Sequence, residues 1–244
     1  MDNVLLGSII SALATGAGAL PILLFKVVTH RLRDVLLAFT AGIMVSATMF
    51  NLIPVALHES NLLTVTIGIL IGTTVLSLME RFMPHIDLEH RSGASVQFDS
   101  KSMLIITAIT LHNLPEGLSV GVSYASGSGN LGPLIALAIG LQNAPEGFLV
   151  ALFLTYQKVK RTTAFLIATL TGSVEIVTGL LGYSLTAYVS GLVPYGLAFA
   201  AGAMLFIVYK ELIPESHGDG NAGSSTYSFI LGLITMIALI EWFG

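Results

Sequence analysis

Two six-residue stretches concentrate the chemistry of this chain: His112-Asn113-Leu114-Pro115-Glu116-Gly117 and Gln142-Asn143-Ala144-Pro145-Glu146-Gly147, 30 positions apart. Each joins a carboxylate to two further nitrogen or oxygen donors. Residues four apart lie on one face of a helix, so His112 and Glu116 converge, with Asn113 beside them. Gln142, Asn143 and Glu146 repeat that geometry. Pro115 and Pro145 have no N–H to give the carbonyls of Leu111 and Leu141, and are expected to open their helices there. An imidazole nitrogen among carboxylate and amide oxygens suits a borderline first-row divalent ion, and Zn²⁺ accepts His and carboxylate ligands in this way. Glu175 adds a third acid of the same kind.

The surroundings make these residues costly. Of 244 residues, 54% are hydrophobic and 10% charged, against about a quarter charged in soluble domains. Apolar stretches of about 20 residues recur, each long enough to cross about 30 Å of hydrocarbon. A carboxylate at the bilayer centre costs about 3 kcal/mol or more. Three lie at depth, and every Lys and Arg lies near a segment end. Protonation, water or a bound cation must compensate. With no cysteine in the chain, disulfides, thiolate metal sites and thiol catalysis are excluded.

The elements that position these residues read as eight transmembrane α-helices at about 4–25, 35–57, 62–79, 102–124, 131–156, 163–186, 194–213 and 226–243, because backbone groups in lipid must be satisfied within their own segment. The fold class is all-α, a single polytopic membrane domain. The first segment, uncharged for 22 residues, reads as a spanning helix rather than a cleaved signal peptide. All ten basic residues fall on one side of the membrane (Lys26, Arg31, Arg33, Arg81, Arg91, Lys101, Lys158, Lys160, Arg161 and Lys210), so the positive-inside rule puts both termini outside a cell (inner or plasma) membrane. The 80–101 connection holds Pro84-His85-Ile86-Asp87-Leu88-Glu89-His90, able to collect metal transiently or to serve as a solvated loop.

A second duplication is less visible. Ala38-Phe39-Thr40-Ala41-Gly42-Ile43-Met44 resembles Ala198-Phe199-Ala200-Ala201-Gly202-Ala203-Met204, and Leu52-Ile53-Pro54 matches Leu212-Ile213-Pro214, at a constant offset of 160. The second and seventh segments cross in opposite directions, as do the fourth and fifth. The layout is therefore three helices, a central pair and three helices, with inverted repeats.

These residues resemble the ZIP (Zrt/Irt-like) family of divalent metal transporters. HNLPEG, QNAPEG and Glu175 carry the likeness, which spans the whole chain and has a prokaryotic look, since many eukaryotic relatives carry a long His-rich loop after the third helix. The resemblance implies alternating-access uptake of Zn²⁺, or of Fe²⁺, Mn²⁺ or Cd²⁺, into the cytoplasm. It makes His112, Asn113, Glu116, Gln142, Asn143, Glu146 and Glu175 the matching ligand positions. Members with two adjacent metals bridge them with carboxylates matching Glu116 and Glu146, and some carry Asp where this chain has Asn143. The family also implies a homodimer, and movement of helices one, four, five and six against the rest. The metal is cargo, so no resident cofactor is expected; the partners are metal ions and lipid, not nucleic acid.

Along the path, His58 and Glu59 are expected to gather the ion outside, while Glu211, Glu215, His217 and Asp219 offer steps for release inside. Asn51 is the counterpart of Glu211 at the 160 offset. A proton-coupled carrier of small organic cations is the main rival reading. An intramembrane metal-dependent hydrolase fits less well: catalytic zinc usually keeps three protein ligands, often two or more of them His, and here one deep His stands without an HExxH motif. No enzymatic activity is expected.

Overall fold

Chain buried in hydrocarbon must satisfy its own N–H and C=O groups, and in the computed structural model, which describes residues 2–24, 29–81 and 98–243, it does so with helices and short turns alone. The long helices are α1 (Asp2–Leu23), α2 (His30–His58), α3 (Leu62–Arg81), α4 (Phe98–Ala125), α5 (Leu131–Tyr156), α6 (Arg161–Tyr188), α7 (Val193–His217) and α8 (Ala222–Phe243). Among the described residues, seven of them are long and apolar enough to cross a membrane. The other, α4, has 28 residues, about 42 Å, and carries HNLPEG. The Pro84–His90 loop lies outside the described residues. The turn between α4 and α5 is short because Gly127 takes a positive φ of 74°, which costs glycine little.

Neither motif proline ends its helix: α4 and α5 stay α-helical through Pro115 and Pro145. Each still leaves the carbonyl four residues back, that of Leu111 or Leu141, without a proline N–H to bond. The backbone yields elsewhere. Thr48–Leu52 in α2 and Val208–Leu212 in α7 form π-turns, in which the Ile53 N–H reaches the Thr48 carbonyl and the Ile213 N–H reaches that of Val208. Pro54 and Pro214 follow directly; widening the turn accommodates a ring that would clash with the carbonyl four residues earlier. The two π-turns are 160 residues apart, so the repeat holds in backbone detail as well as in sequence.

Packing extends the repeat further. A Cβ on Gly42 of α2 would lie 2.1 Å from the Phe229 carbonyl of α8, and one on Gly202 of α7 would lie 2.2 Å from the Ile69 carbonyl of α3. Gly72 of α3 meets the Phe199 carbonyl at 2.1 Å, and Gly232 of α8 meets that of Phe39 at 2.2 Å. Every member of one pair is the other's counterpart at the offset of 160. Such approaches, open only to small residues, knit α2 to α8 and α3 to α7. In the same manner Gly117 and Gly121 seat α4 on α6, while Gly18 and Gly147 seat α5 on α1. The glycine contact between the two sets, Gly196 of α7 against Val122 of α4, is to side-chain methyls at 3.0 Å. The helices thus form two interlocked groups, α1/α4/α5/α6 and α2/α3/α7/α8, that meet through side chains.

Candidate metal site

The motif glycines fix the depth and rotation of the site. A Cβ on Gly117 would lie 2.6 Å from both Cα and O of Glu175, and one on Gly147 would lie 2.0 Å from the Thr15 carbonyl. Thr15 and Glu175 are themselves 160 apart, so α1 and α6 are also counterparts. Both motifs therefore dock on equivalent points of equivalent helices, which turns Glu116 and Glu146 toward the interior.

Two clusters result. In the first, Gln142 Nε2 donates to Glu116 Oε1 at 2.6 Å, joining the two motifs directly. Asn143 Nδ2 donates to Glu175 Oε1 at 2.7 Å and to Ser11 O at 3.1 Å, while the Ser11 hydroxyl donates to Glu175 Oε2. Asn113, Glu116, Gln142, Asn143 and Glu175 are all at most 1% exposed. Yet Glu116 Oε2, Gln142 Oε1 and Asn143 Oδ1 are buried and receive no hydrogen bond from the described residues. Buried acceptors are nearly always satisfied, so three such oxygens from α4 and α5 call for a partner that the described residues do not supply.

The second cluster lies toward the end of the bundle where Lys and Arg gather. His112 Nδ1 stands 3.7 Å from Glu146 Oε1, and His112 Nε2 stands 2.9 Å from Glu211 Oε2. The His112 and Glu146 side chains are 13% exposed and that of Glu211 35%, so this cluster is open to water where the first is closed. Among the described residues, no group of three His, Asp or Glu side chains is poised to hold an ion alone. The amides are needed to complete a ligand set.

The seven sequence-predicted ligand positions thus divide between the two clusters. Asn113 sits beside the first, its Nδ2 buried and without a partner. Asn51 is buried in the π-turn of α2, and its Nδ2 is likewise unpartnered. His58 and Glu59 are exposed at the far end of α2. At the other end Glu215 faces Arg33 at 3.5 Å, and Asp219 is bound by Arg33 at 2.7 Å and by His30 at 2.7 Å. These acids hold α2 to the α7–α8 connection. His217 Nδ1 lies 2.9 Å from the Ile213 carbonyl, at the end of its own helix. Sequence reasoning missed Ser11; the offset of 160, carried back from Glu175 to Thr15, would have put α1 beside the site. It also missed Glu80, which receives Lys210 at 2.5 Å.

The family model described as ZIP Zinc transporter matches residues 85–240. The chain is 36% identical over 246 residues to Zinc transporter GufA of Myxococcus xanthus, covering 96% of each protein. It is 32% identical over 254 residues to Zinc transporter ZIPB of Bordetella bronchiseptica, covering 96% of this chain and 79% of that one. It is 29% identical over 273 residues to Zinc transporter ZupT of Clostridium perfringens, covering 97% and 95%. With two linked HNLPEG-type motifs on a polytopic helical scaffold and matches of this extent, the chain belongs to the ZIP zinc transporter family.

Proposed function

We propose that this multi-pass membrane protein, a transporter and not an enzyme, carries divalent transition-metal ions, zinc foremost, into the cytoplasm. The observation that carries the reading is the trio of buried, undonated oxygens on Glu116, Gln142 and Asn143, supplied by both motifs. A cation placed among them would satisfy all three and offset the buried carboxylate. The relatives' printed descriptions as zinc transporters support zinc as cargo; Fe²⁺, Mn²⁺ and Cd²⁺ accept similar donors. His112, Asn113, Glu146 and Glu175 line the same passage. The basic residues gathered at one end support a cell (inner or plasma) membrane setting with both termini outside, and a homodimer is the assembly expected of the family.

Two features support alternating access. Backbone-to-backbone interlocks fall within each helix group, while the groups meet through side chains, as two bodies able to shift would require. Water reaches His112 and Glu146 but not Gln142 or Asn143, as in a state open toward the inside. In this state Glu211 accepts from His112 and forms the first step of release. The test is Zn²⁺ flux into proteoliposomes, with Glu116→Ala and His112→Ala expected to lose about ten-fold or more, since each removes a ligand at a buried site. Undiminished flux in both variants sinks the site, and no flux of any metal by the native protein sinks the transport reading.

A further inference from the structure

The inner mouth carries an ion pair that the transport reading does not use. Between α3, α4 and α7 lies a small cavity walled by Leu76, Glu80, His112, Phe206 and Glu211. Two carboxylates face it, and each is engaged by a side chain of the protein itself: Glu211 by His112 at 2.9 Å, and Glu80 by Lys210 at 2.5 Å. The π-turn at Val208–Leu212 sends the adjacent residues Lys210 and Glu211 to different helices, α3 and α4. Lys210 is further seated over the Phe206 ring, 5.4 Å from its centroid, a distance at which the ring face attracts a cation.

The repeat shows that the fold does not require these charges. At the offset of 160, Lys210 corresponds to Phe50, Glu211 to Asn51 and Glu80 to Ile240. The outer mouth is built on the same π-turn and the same glycine interlocks, and it stands without any of the three ionisable groups. At these three positions ionic chemistry is present on one side only, next to the ion's way out. Two unheld acids beside His112 would form a strong divalent-cation trap there, and a trap at an exit slows release.

We propose that Lys210 is a tethered counter-cation at the inner mouth: by holding Glu80 while His112 holds Glu211, it keeps the exit cavity from retaining the departing ion. The inference rests on the metal-transport reading above. Each Zn²⁺ that leaves the transport site meets a cavity whose acids are already engaged, so it passes on to solvent.

The experiment compares native protein, Lys210→Met, Lys210→Arg and the double variant Lys210→Met with Glu80→Gln. Met keeps the apolar stem on Phe206 and removes the charge. Two quantities are read: Zn²⁺ turnover in proteoliposomes with an entrapped zinc dye, and Zn²⁺ retained per chain after gel filtration in detergent. Lys210→Met is expected to retain additional Zn²⁺ and to turn over about five-fold more slowly, the scale of one half-exposed ion pair. Lys210→Arg should stay close to native. The double variant should shed the extra Zn²⁺ and recover turnover, although it breaks the ion pair as completely as the single variant does. A merely structural pair predicts the reverse, with the double variant at least as impaired as the single. Native-like retention in Lys210→Met, or no recovery in the double variant, overturns the proposal. Absence of flux in the native protein instead strikes the transport reading, and retention in detergent still decides the role of Lys210.

Discussion

Replacing Gly147 by alanine tests the packing that aims the second motif. The added Cβ would come within 2.0 Å of the Thr15 carbonyl oxygen and 3.0 Å of Thr15 Cα, where ordinary contact begins near 3.4 Å. The obstacle is backbone, so no rotamer change relieves it; α1 must retreat or α5 must turn. Overpacking of a well-filled core costs about 1–3 kcal/mol, and a clash with main chain belongs at the upper end, about 3 kcal/mol. For a chain of this size that corresponds to a fall of about 6–12 °C in Tm. Function should suffer more than stability, because α1 carries Ser11 and the retreat draws it from Asn143 and Glu175. Gly140→Ala is the control: on the same helix, its Cβ would find Ala14 Cβ and Ser11 Cα at 3.7 Å, ordinary contact. Thermal melts in detergent and Zn²⁺ flux in liposomes read both variants. Gly140→Ala should match the native protein, and Gly147→Ala should lose about ten-fold in flux, since a displaced ligand shell typically costs 10–100-fold. If both variants melt and transport alike, the close docking of α5 on α1 is not what sets the site.

Two further substitutions probe the charges. Asn143→Asp puts a carboxylate where an amide now donates to Glu175 at 2.7 Å, so two buried acids would face each other without a proton or cation between them. The variant should melt below native in chelator and above it in Zn²⁺, with more Zn²⁺ bound per chain by equilibrium dialysis; an unchanged zinc-dependent shift refutes the assignment. Arg33→Ala removes the cation shared by Asp34, Asp219 and Glu215. Arg33 is 7% exposed and Asp34 fully buried; Asp34 keeps Asn221 and Asp219 keeps His30, so loss of the shared cation should cost about 1–3 kcal/mol, read as a lower Tm with the Zn²⁺ KM of the folded fraction unchanged.

The legible parts of this site were those whose energetics are local. Glu116, Glu146 and Glu175 stand out because an acid in an apolar segment needs a reason wherever its partners lie, and His112 stands out beside Glu116 by helical spacing alone. The repeat was legible between α2 and α7, where Ala-Phe and Leu-Ile-Pro survive in both copies. It was hidden between α3 and α8 and between α1 and α6. There the two copies keep a backbone approach, as at Gly72 and Gly232, or a position, as at Thr15 and Glu175, while the side chains differ. Long-range pairing was not legible. Arg33 meets Asp219 across most of the chain, so nothing in the sequence signalled that Glu215 and Asp219 also hold α2.

His112 links chemistry to motion. Its Nε2 is engaged by Glu211 of α7, a contact that crosses between the two interlocked helix groups, whereas Glu146, on its other nitrogen, lies within its own group. A metal that takes the Nε2 lone pair must displace Glu211, and Glu211 returning to His112 must displace the metal. In the transport reading, the ion and the tether between groups therefore compete for one atom. A ligand shifts a conformational equilibrium by its differential affinity for the two states, and here the difference has a named source. The ion binds His112 best when α7 has let go, and α7 closes on His112 as the ion departs. The outer copy has Gln142 for His112 and Asn51 for Glu211, neutral groups that cannot compete with a metal in this way. In the transport reading, the same fold, repeated and inverted, would couple ion binding to the contact between helix groups at the His112 end and not at the opposite one.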